Sequence, residues 1–195
     1  MNYDELLDFS KKLDRSEFIE SEFRLFAHVD EALPIGFGQT ISQPSLVVEM
    51  TRILNPDKKS RVLEIGTGTG YQTAFLSHFS ESVYTIEIVP ELASSAKERL
   101  RRMGYINITY KVGDGSTGWA EHAPFDRIMV TAAAKKVPDE LIEQLAPDGR
   151  MVIPVGPPSV QMLTLVTKDK RGKISISEIE YVQFVELRGK YGWWS

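Results

Sequence analysis

The most informative stretch of the chain reads Val62-Leu63-Glu64-Ile65-Gly66-Thr67-Gly68-Thr69-Gly70-Tyr71. An apolar run at 61–65 predicts a strand, three glycines follow at alternate positions, and residues 71–79 have the composition of a helix. Glycine at a strand–helix turn permits positive φ and lets a ligand approach the backbone closely. Because open α/β sheets bind their ligands beyond the carboxyl ends of the strands, we expect a binding site at this turn.

Strand-like and helical segments alternate on both sides of this turn. Before it, helices are predicted at 2–12 and 44–54, joined by a loop that ends near residue 42. After it, strands are predicted at 83–88, 108–112, 127–130 and 151–155, and helices at 90–103 and 137–145. Further strands at 162–167, 174–179 and 181–187 are predicted to form a hairpin-bearing edge. This alternation favours a parallel sheet covered by helices on both faces.

The length and the absence of internal repeats or linkers favour one domain over residues 1–195. Within it we predict an N-terminal cap and active-site loop (1–43), a ligand-binding core (44–160) and C-terminal strands (161–195). The net charge of -4 disfavours a nucleic-acid partner, which requires a basic stripe. The polar N-terminus does not resemble a signal peptide, and no apolar run approaches the ~20 residues that span a bilayer. We therefore expect a cytoplasmic protein without a membrane partner.

The chain contains no cysteine and three histidines, His28, His78 and His122, which are scattered. The lack of cysteine excludes disulfides, zinc–thiolate sites and thiol nucleophiles. The histidines show no metal-ligand spacing, so no metal site is expected.

The glycine turn itself favours one class of ligand. A dinucleotide-binding fingerprint requires G-x-G-x-x-G, and Tyr71 occupies the place of its third glycine. The glycines at 66, 68 and 70, preceded by Glu64, resemble motif I of the class I S-adenosylmethionine methyltransferases. The carboxylate of Glu64 would suit a ligand that carries an ammonium and a sulfonium. The alternative is a tight strand–helix turn in which Glu64 caps a backbone group or is solvated.

Two acidic residues follow the next strands. Glu87 lies 17 residues beyond Gly70 (87 − 70), about where nucleotide-binding α/β folds place a carboxylate on the ribose hydroxyls. Asp114 stands in Gly113-Asp114-Gly115, where methyltransferases of this class commonly hold the adenine amino group. Glu87 as an exposed strand-end charge and Asp114 as an Asx-turn residue stay open as alternatives.

Several longer motifs resemble those of the protein-L-isoaspartate O-methyltransferase family, in order from about residue 12 to the C-terminus. They are Leu33-Pro34-Ile35-Gly36-Phe37-Gly38-Gln39-Thr40-Ile41-Ser42-Gln43-Pro44, Tyr84-Thr85-Ile86-Glu87-Ile88, Val112-Gly113-Asp114-Gly115-Ser116, Val130-Thr131-Ala132-Ala133-Ala134 and Ile153-Pro154-Val155-Gly156. The resemblance implies a doubly wound, mostly parallel seven-stranded sheet, the Rossmann-like fold of class I methyltransferases. It also implies methyl transfer from S-adenosylmethionine to the α-carboxylate of isoaspartyl residues in damaged proteins, with S-adenosyl-L-homocysteine as product.

The same resemblance implies the site residues. Ser42 is expected to orient the acceptor carboxylate, and Thr131, Ala132 and Ala133 to leave room for the peptide. The residues expected to contact the cofactor are Thr40, Ile41, Gln43, Glu64, Gly66, Gly68, Gly70, Glu87, Ile88, Asp114, Gly115 and Gln161.

Each assignment has a structural alternative. Ser42 stands just before a helix, where serine is a favoured N-cap that contributes roughly 1 kcal/mol. Thr131–Ala134 is also compatible with a close-packed strand end, and Gln161 with a polar residue that leads into a strand.

The family usually carries an N-terminal helical segment that is about one helix longer than the segment in this sequence. Stability, oligomeric state and peptide-site shape are therefore open, and a monomer is expected. A class I methyltransferase with another carboxylate or small-molecule acceptor, and a non-catalytic nucleoside-binding relative, are the competing functions.

Overall fold

The computed structural model describes residues 1–19 and 22–192. The last three residues of the predicted C-terminal segment 161–195 therefore lie outside the described residues. The α-helices of this described part are α1 (Tyr3–Lys12), α2 (Pro44–Leu54), α3 (Tyr71–Phe79), α4 (Pro90–Arg102) and α5 (Asp139–Gln144). The strands are β1 (Leu33–Gly36), β2 (Gln39–Ile41), β3 (Arg61–Ile65), β4 (Ser82–Glu87), β5 (Ile108–Val112), β6 (Phe125–Val130), β7 (Leu145–Val155), β8 (Gln161–Lys168) and β9 (Ile174–Val182). Short 3-10 helices lie at Arg15–Phe18, Glu22–Phe26 and Ala120–His122.

Seven of these strands form one sheet in the order β5-β4-β3-β6-β7-β8-β9. The first five run parallel, and β8 and β9 are antiparallel to their neighbours. The predicted doubly wound, mostly parallel seven-stranded sheet is therefore confirmed. The chain leaves β3 toward β4 on one side and later returns to β6 on the other, so a crevice opens at the carboxyl end of β3.

The core lies on both faces of the sheet. Neighbouring residues of a strand point to opposite faces, and Val62 and Leu63 of β3 are both fully buried. Val62 belongs to a cluster with residues of α2 and α3, and Leu63 to a cluster with Trp119 and α5. Burial on both faces explains why β3 reads as a continuous apolar run instead of an alternating one.

The predicted loop before Ser42 contains a small antiparallel hairpin of β1 and β2, in which Leu33 pairs with Ile41. Its tip, Gly36, Phe37 and Gly38, has positive φ at all three residues. The glycines and the proline that predicted a loop thus form the turn of a hairpin whose strands are too short for a visible apolar alternation.

The predicted strand at 181–187 is wrong. Strand β9 covers Ile174–Val182, so only the first two residues of the predicted segment are strand, and beyond them Glu186 forms an isolated parallel bridge with Ala133. The strand propensity of this apolar segment is overridden by that contact, because β-propensity largely reflects packing context. No helix in the described ranges is long and apolar enough to cross a membrane.

Candidate active site

A cavity lies at the carboxyl ends of β3, β4, β5 and β6, where the sequence predicted a site. Its volume is ≈ 780 Å³, counting the space that opens to solvent. Two walls enclose it. The strand-tip wall consists of residues 65–69, 71–72, 86–88, 113, 115 and 131–132. The N-terminal wall consists of residues 39–42 with Val47 and the segment 185–188.

The glycine loop of the strand-tip wall needs glycine for two separate reasons. Gly66 has φ +96°, and a Cβ there would lie 2.3 Å from the Thr131 hydroxyl oxygen. Gly70 has φ +88° at the N-cap of α3, and a Cβ there would lie 2.7 Å from a methyl group of Leu100. Gly66 thus leaves room for the Thr131 side chain against the loop, whereas Gly70 lets the loop enter its helix against α4 and does not line the cavity.

Hydrogen bonds from threonine hydroxyls hold the glycine loop in place. The Thr131 hydroxyl donates to the Gly66 carbonyl oxygen at 2.7 Å. The hydroxyls of Thr67 and Thr85 lie 2.6 Å apart, and Thr85 donates in turn to the Glu64 carboxyl group at 2.6 Å. The loop conformation is therefore set by buried side-chain hydrogen bonds as well as by its glycines.

Glu64, one of the residues expected to contact the cofactor, does not line the cavity. It is fully buried beneath the loop, with one oxygen accepting from Thr73 and Thr85 and the other without a partner among the described residues. Burial raises the pKa of Glu64 to about 8, the two hydroxyl donors oppose this rise, and nearby Glu87 adds to it. A neutral Glu64 at pH 7 does not supply the negative charge that the sequence suggested for a cationic ligand.

Glu87 lies at the cavity surface, although it is only 5% exposed. One carboxylate oxygen accepts from the Gly68 N–H at 2.8 Å, and the other accepts from the Val89 N–H at 3.0 Å. Each oxygen keeps a lone pair for a further donor, such as a ribose hydroxyl. Ile88 lies beside it and is 38% exposed.

Ser42 lines the N-terminal wall and does not cap α2. The N-cap is Gln43, which makes no side-chain cap bond, and the N-terminal turn is capped from outside by Asp30, which accepts from the Ser45 N–H at 2.8 Å. Within residues 1–19 and 22–192 the Ser42 hydroxyl makes no hydrogen bond, while its carbonyl accepts from Arg15. The hydroxyl is therefore available to a ligand in the cavity.

The segment 185–188 completes the N-terminal wall, and sequence reasoning missed it. The Ala133 N–H donates to the Val185 carbonyl and the Leu187 N–H donates to the Ala133 carbonyl, both at 2.8 Å. Ala133 itself is fully buried and does not line the cavity, so it holds the wall instead of contacting substrate. No local pattern marks this segment, because its position depends on a strand about 50 residues earlier in the chain.

Gln161 has a similar supporting position and is also absent from the cavity surface. Its amide nitrogen donates to the carbonyls of Pro157 and Pro158, and its amide oxygen accepts from the Phe184 N–H at 2.8 Å. With its amide engaged on both sides and only 1% exposed, Gln161 anchors the start of segment 185–188.

Asp114 is engaged by the protein as well. One carboxylate oxygen accepts from the Ser116 N–H at 2.8 Å, the Asx-turn geometry that the sequence left open. The other accepts from the Lys190 N–H at 3.0 Å, and Gly189 packs so closely that a Cβ there would overlap the carboxylate. Asp114 thus holds the C-terminal segment, and its neighbours Gly113 and Gly115 line the cavity instead.

Ten of the predicted site residues line the cavity, and six do not. Those that line it are Thr40, Ile41, Ser42, Gly66, Gly68, Glu87, Ile88, Gly115, Thr131 and Ala132. Those that do not are Gln43, Glu64, Gly70, Asp114, Ala133 and Gln161. Gln43 is turned away toward Asp30, to which its amide donates at 3.1 Å, and it lines a neighbouring groove.

Tyr71 is a further lining residue that the sequence did not assign. It is 4% exposed, and its ring meets Phe18 and Phe75 edge to face. Burial raises the pKa of Tyr71 to about 12, with Arg15 opposing and Asp30 adding to the rise. The phenol therefore stays protonated at neutral pH and is not a general base.

A groove of ≈ 1300 Å³, counting its open side, runs from the cavity toward β9 and shares Thr40 and Ser42 with it. Leu46, Val160, Tyr181 and Phe184 give it apolar contact area, and Glu49 and Glu180 give it acidic groups. Ser42 thus stands where the cavity and the groove meet. In the described part of the chain, no group of three or more histidine, aspartate or glutamate side chains is arranged to hold a metal ion.

Comparison with known proteins agrees with this geometry. The profile of the family described as protein-L-isoaspartate(D-aspartate) O-methyltransferase matches residues 1–192. Protein-L-isoaspartate O-methyltransferase 2 of Syntrophobacter fumaroxidans is 50% identical over 185 residues, which cover 94% of this chain and 75% of that protein. The protein-L-isoaspartate O-methyltransferase of Dictyoglomus turgidum is 48% identical over 188 residues, which cover 96% of this chain and 85% of that protein.

Solved structures give the same result. A protein-L-isoaspartate O-methyltransferase structure superposes with a TM-score of 0.84 at 28% identity, covering 98% of this chain and 67% of that one. A Plasmodium falciparum structure in complex with S-adenosyl-L-homocysteine superposes with a TM-score of 0.76 at 24% identity, covering 96% and 99% of the two chains. At that identity the second similarity supports the fold alone.

Proposed function

This chain belongs to the protein-L-isoaspartate(D-aspartate) O-methyltransferase family, and we propose here how its two cavity walls divide the work of that reaction. It is an S-adenosylmethionine-dependent methyltransferase that acts on L-isoaspartyl residues of proteins and so initiates their repair. One observation carries the division of labour: the glycine loop, the Glu87 carboxylate and an unpaired Ser42 hydroxyl all face a single cavity.

The strand-tip wall fits a nucleoside-bearing cofactor. Gly66 and Gly68 allow close approach to the backbone, and Glu87 has acceptor capacity for ribose hydroxyls. Ile88 offers apolar contact area and Gly115 leaves space beside it. We assign these residues to S-adenosylmethionine and to its product S-adenosyl-L-homocysteine, with Thr40 and Ile41 contacting it from the N-terminal wall.

The reaction needs positioning more than it needs a base. S-adenosylmethionine supplies an activated methyl group on a sulfonium centre. An ordinary α-carboxyl group has a pKa near 3.3–3.7, so the isoaspartyl acceptor is ionised at neutral pH and already nucleophilic. The cavity lining in the described residues contains no histidine or lysine, in keeping with a reaction that requires no proton abstraction.

Ser42 then has an orienting role. Its free hydroxyl donates a hydrogen bond to the acceptor carboxylate and holds it in line with the methyl group. Buried Ile41 and Leu187 exclude water beside it, which favours a reaction in which opposite charges neutralise each other. We do not assign Ser42 as a nucleophile, because no activating base stands beside it. Orientation of this kind is worth up to ~7–11 kcal/mol in well-positioned systems.

The groove beside Ser42 receives the polypeptide that carries the acceptor. Because the groove shares Thr40 and Ser42 with the cavity, a chain lying in it presents one carboxylate to the cavity. In the strand-tip wall, across the cavity from Ser42, Thr131 and Ala132 leave room for the peptide backbone. The sequence-based expectations of a monomer, a cytoplasmic location and no nucleic-acid binding stay predictions.

A labelled-methyl assay on paired peptides tests this function. Two peptides identical except for an isoaspartyl or an aspartyl residue at one position are incubated with tritiated S-adenosylmethionine and the purified chain. We expect methyl transfer to the isoaspartyl peptide and background transfer to its aspartyl partner. Equal transfer to both peptides would favour a methyltransferase of another specificity, and cofactor binding without transfer to either would indicate a non-catalytic relative.

A further inference from the structure

The hairpin that delivers Ser42 is held at its base by one buried arginine. Arg15 is 5% exposed, and its guanidinium donates to four main-chain carbonyls. Those carbonyls belong to Ala27 at 3.2 Å, Val29 at 3.0 Å, Glu31 at 2.7 Å and Ser42 at 3.1 Å. Glu31 precedes the hairpin of β1 and β2 and Ser42 follows it, so a single side chain joins the two ends of the hairpin.

Asp30 contacts the start of α2, directly after Ser42. Its carboxylate accepts from the Ser45 N–H and from the Gln43 amide, and so it caps α2 directly after Ser42. Burial opposes the charged form, but the hydrogen bonds from Ser45 and Gln43 and the charge of Arg15 hold the pKa of Asp30 below its usual value. Because Asp30 satisfies the helix terminus, the Ser42 hydroxyl is not consumed as a cap.

These contacts constrain Ser42 without touching its hydroxyl. Arg15 holds its carbonyl, Asp30 accepts from Gln43 and Ser45 after it, and Ile41 before it is paired with Leu33. Burial lowers the pKa of Arg15 while Tyr71 and Asp30 raise it, and an arginine stays charged under these conditions. In the clamp that Arg15 and Asp30 form around Ser42, the hydrogen bonds donated by Arg15 therefore do not depend on pH near neutrality.

We propose that Arg15 and Asp30 are positioning residues for methyl transfer: they hold the backbone on both sides of Ser42 so that its hydroxyl meets the acceptor carboxylate. The inference rests on the proposed function of Ser42. A displacement of about 1 Å in a positioned group can cost ~10²-fold in rate, so loosening this clamp should lower kcat even though neither side chain contacts the reacting atoms.

A double-mutant cycle tests the proposal, using Arg15→Lys, Ser42→Ala and the double variant. Lysine keeps the charge but cannot reach all four carbonyls in the planar arrangement of a guanidinium. We expect Arg15→Lys to lower kcat by about tenfold or more with Ser42 present, and by less than about threefold with Ser42→Ala. The Kd for S-adenosyl-L-homocysteine, measured by calorimetry, should change by less than about threefold in each variant.

Arg127→Lys is the matched control. Arg127 is half-buried and donates to the carbonyls of Asn55 and Asp126 near the amino end of β6, whereas the cavity lies at the carboxyl ends of the strands. Its replacement should lower the melting temperature and leave kcat within about twofold of the wild type. If Arg15→Lys does not fold, the cycle is repeated at exposed Asp30. There, Asp30→Ala should lower kcat, and Asp30→Asn, which retains capping ability, should largely restore it.

The outcomes separate this inference from the proposed function. A wild-type chain that methylates no isoaspartyl peptide would remove the proposed function. An active wild type in which Arg15→Lys costs the same factor with and without Ser42 would remove only the positioning role, because a general structural defect is additive. A Ser42→Ala variant as active as the wild type would remove both the role of Ser42 and the clamp that serves it.

Discussion

The two walls of the cavity are built by different means. The strand-tip wall follows from four successive parallel strands, and its glycine loop is held by main-chain bonds and by buried threonines. The N-terminal wall contains no strand of the main sheet. Its hairpin packs Leu33 and Ile41 into the core cluster of α1 and α3, Arg15 joins its two ends, and Asp30 caps the helix that follows. The wall assigned mainly to the cofactor is thus formed by the main sheet, whereas the hairpin that carries Ser42 is a separate element packed on the helices and joined at its base by Arg15.

This difference predicts that the two functions separate under mutation. Changes in the N-terminal wall should alter turnover, changes at the surface of the strand-tip wall should alter cofactor affinity, and changes beneath it should alter stability.

The largest effect is expected for Ser42→Ala. Loss of the orienting hydrogen bond should lower kcat by about 100-fold, equivalent to about 2.7 kcal/mol, and leave the Kd for S-adenosyl-L-homocysteine within about threefold. Steady-state methyl transfer and calorimetry measure the two quantities. Ser175→Ala on the exposed strand β9 is the control and should retain wild-type values. Unchanged turnover in Ser42→Ala would remove this residue from the mechanism.

The next effect concerns the pH dependence of stability. The folded-state pKa of Glu64, about 8, lies above its ordinary value of 4.5, so the folded chain holds a proton that the unfolded chain has lost. Stability from this group is complete below the ordinary pKa and is lost as pH rises toward about 8. Relative to Glu64→Gln, the wild type should lose about 2 kcal/mol of unfolding free energy between pH 5.5 and 7.0.

Urea denaturation of both proteins across this pH range measures that difference. Glu178→Gln, on the exposed edge strand, should reproduce the pH dependence of the wild type. Parallel wild-type and Glu64→Gln curves would show that Glu64 is ionised in the folded chain at neutral pH, and its assignment as a neutral buried group would then be wrong.

A smaller effect is expected at the surface of the strand-tip wall. Glu87→Gln keeps the size of the side chain but removes one acceptor oxygen from the loop and the ribose. The Kd for S-adenosyl-L-homocysteine should rise about tenfold, or about 1.4 kcal/mol, while kcat at saturating cofactor changes little. Isothermal calorimetry provides the affinity. Wild-type affinity in Glu87→Gln would argue against the ribose assignment.

The smallest effect distinguishes the sequence interpretation of Asp114 from its position in the structure. If Asp114 only holds Ser116 and Lys190, then Asp114→Ala should cost about 1 kcal/mol of unfolding free energy and change cofactor affinity by less than about threefold. A loss of affinity well beyond that, without a matching loss of stability, would restore the predicted contact with the adenine amino group.

The sequence predicted the strand-tip wall well because its information is local. The alternation of strands and helices gave the sheet, and the glycine spacing with Glu87 placed a site at the ends of β3 and β4. The same local reasoning did not show which side chains of the motif face the cavity and which lie beneath the loop. Glu64 belongs to the motif, yet it lies beneath the loop with Thr73 and Thr85, and Gly70 serves a helix terminus against Leu100.

The N-terminal wall was only partly predictable because it depends on contacts between distant residues. Ser42 was found through family resemblance, and pattern alone could equally assign it as a helix cap. Arg15 contacts a carbonyl 27 residues away, and segment 185–188 is placed by Ala133. No periodicity or spacing in the sequence predicts these contacts between distant residues. The apolar composition of 181–187 instead favours a strand.

A crystal structure of the chain with S-adenosyl-L-homocysteine and an isoaspartyl peptide tests the division between the two walls most directly. We expect the ribose hydroxyls within hydrogen-bond distance of Glu87, and the acceptor α-carboxylate about 2.6–3.2 Å from the Ser42 hydroxyl with its peptide leaving through the groove toward β9. An acceptor carboxylate bound away from Ser42, or a nucleoside bound outside the Gly66–Gly70 loop, would contradict the account.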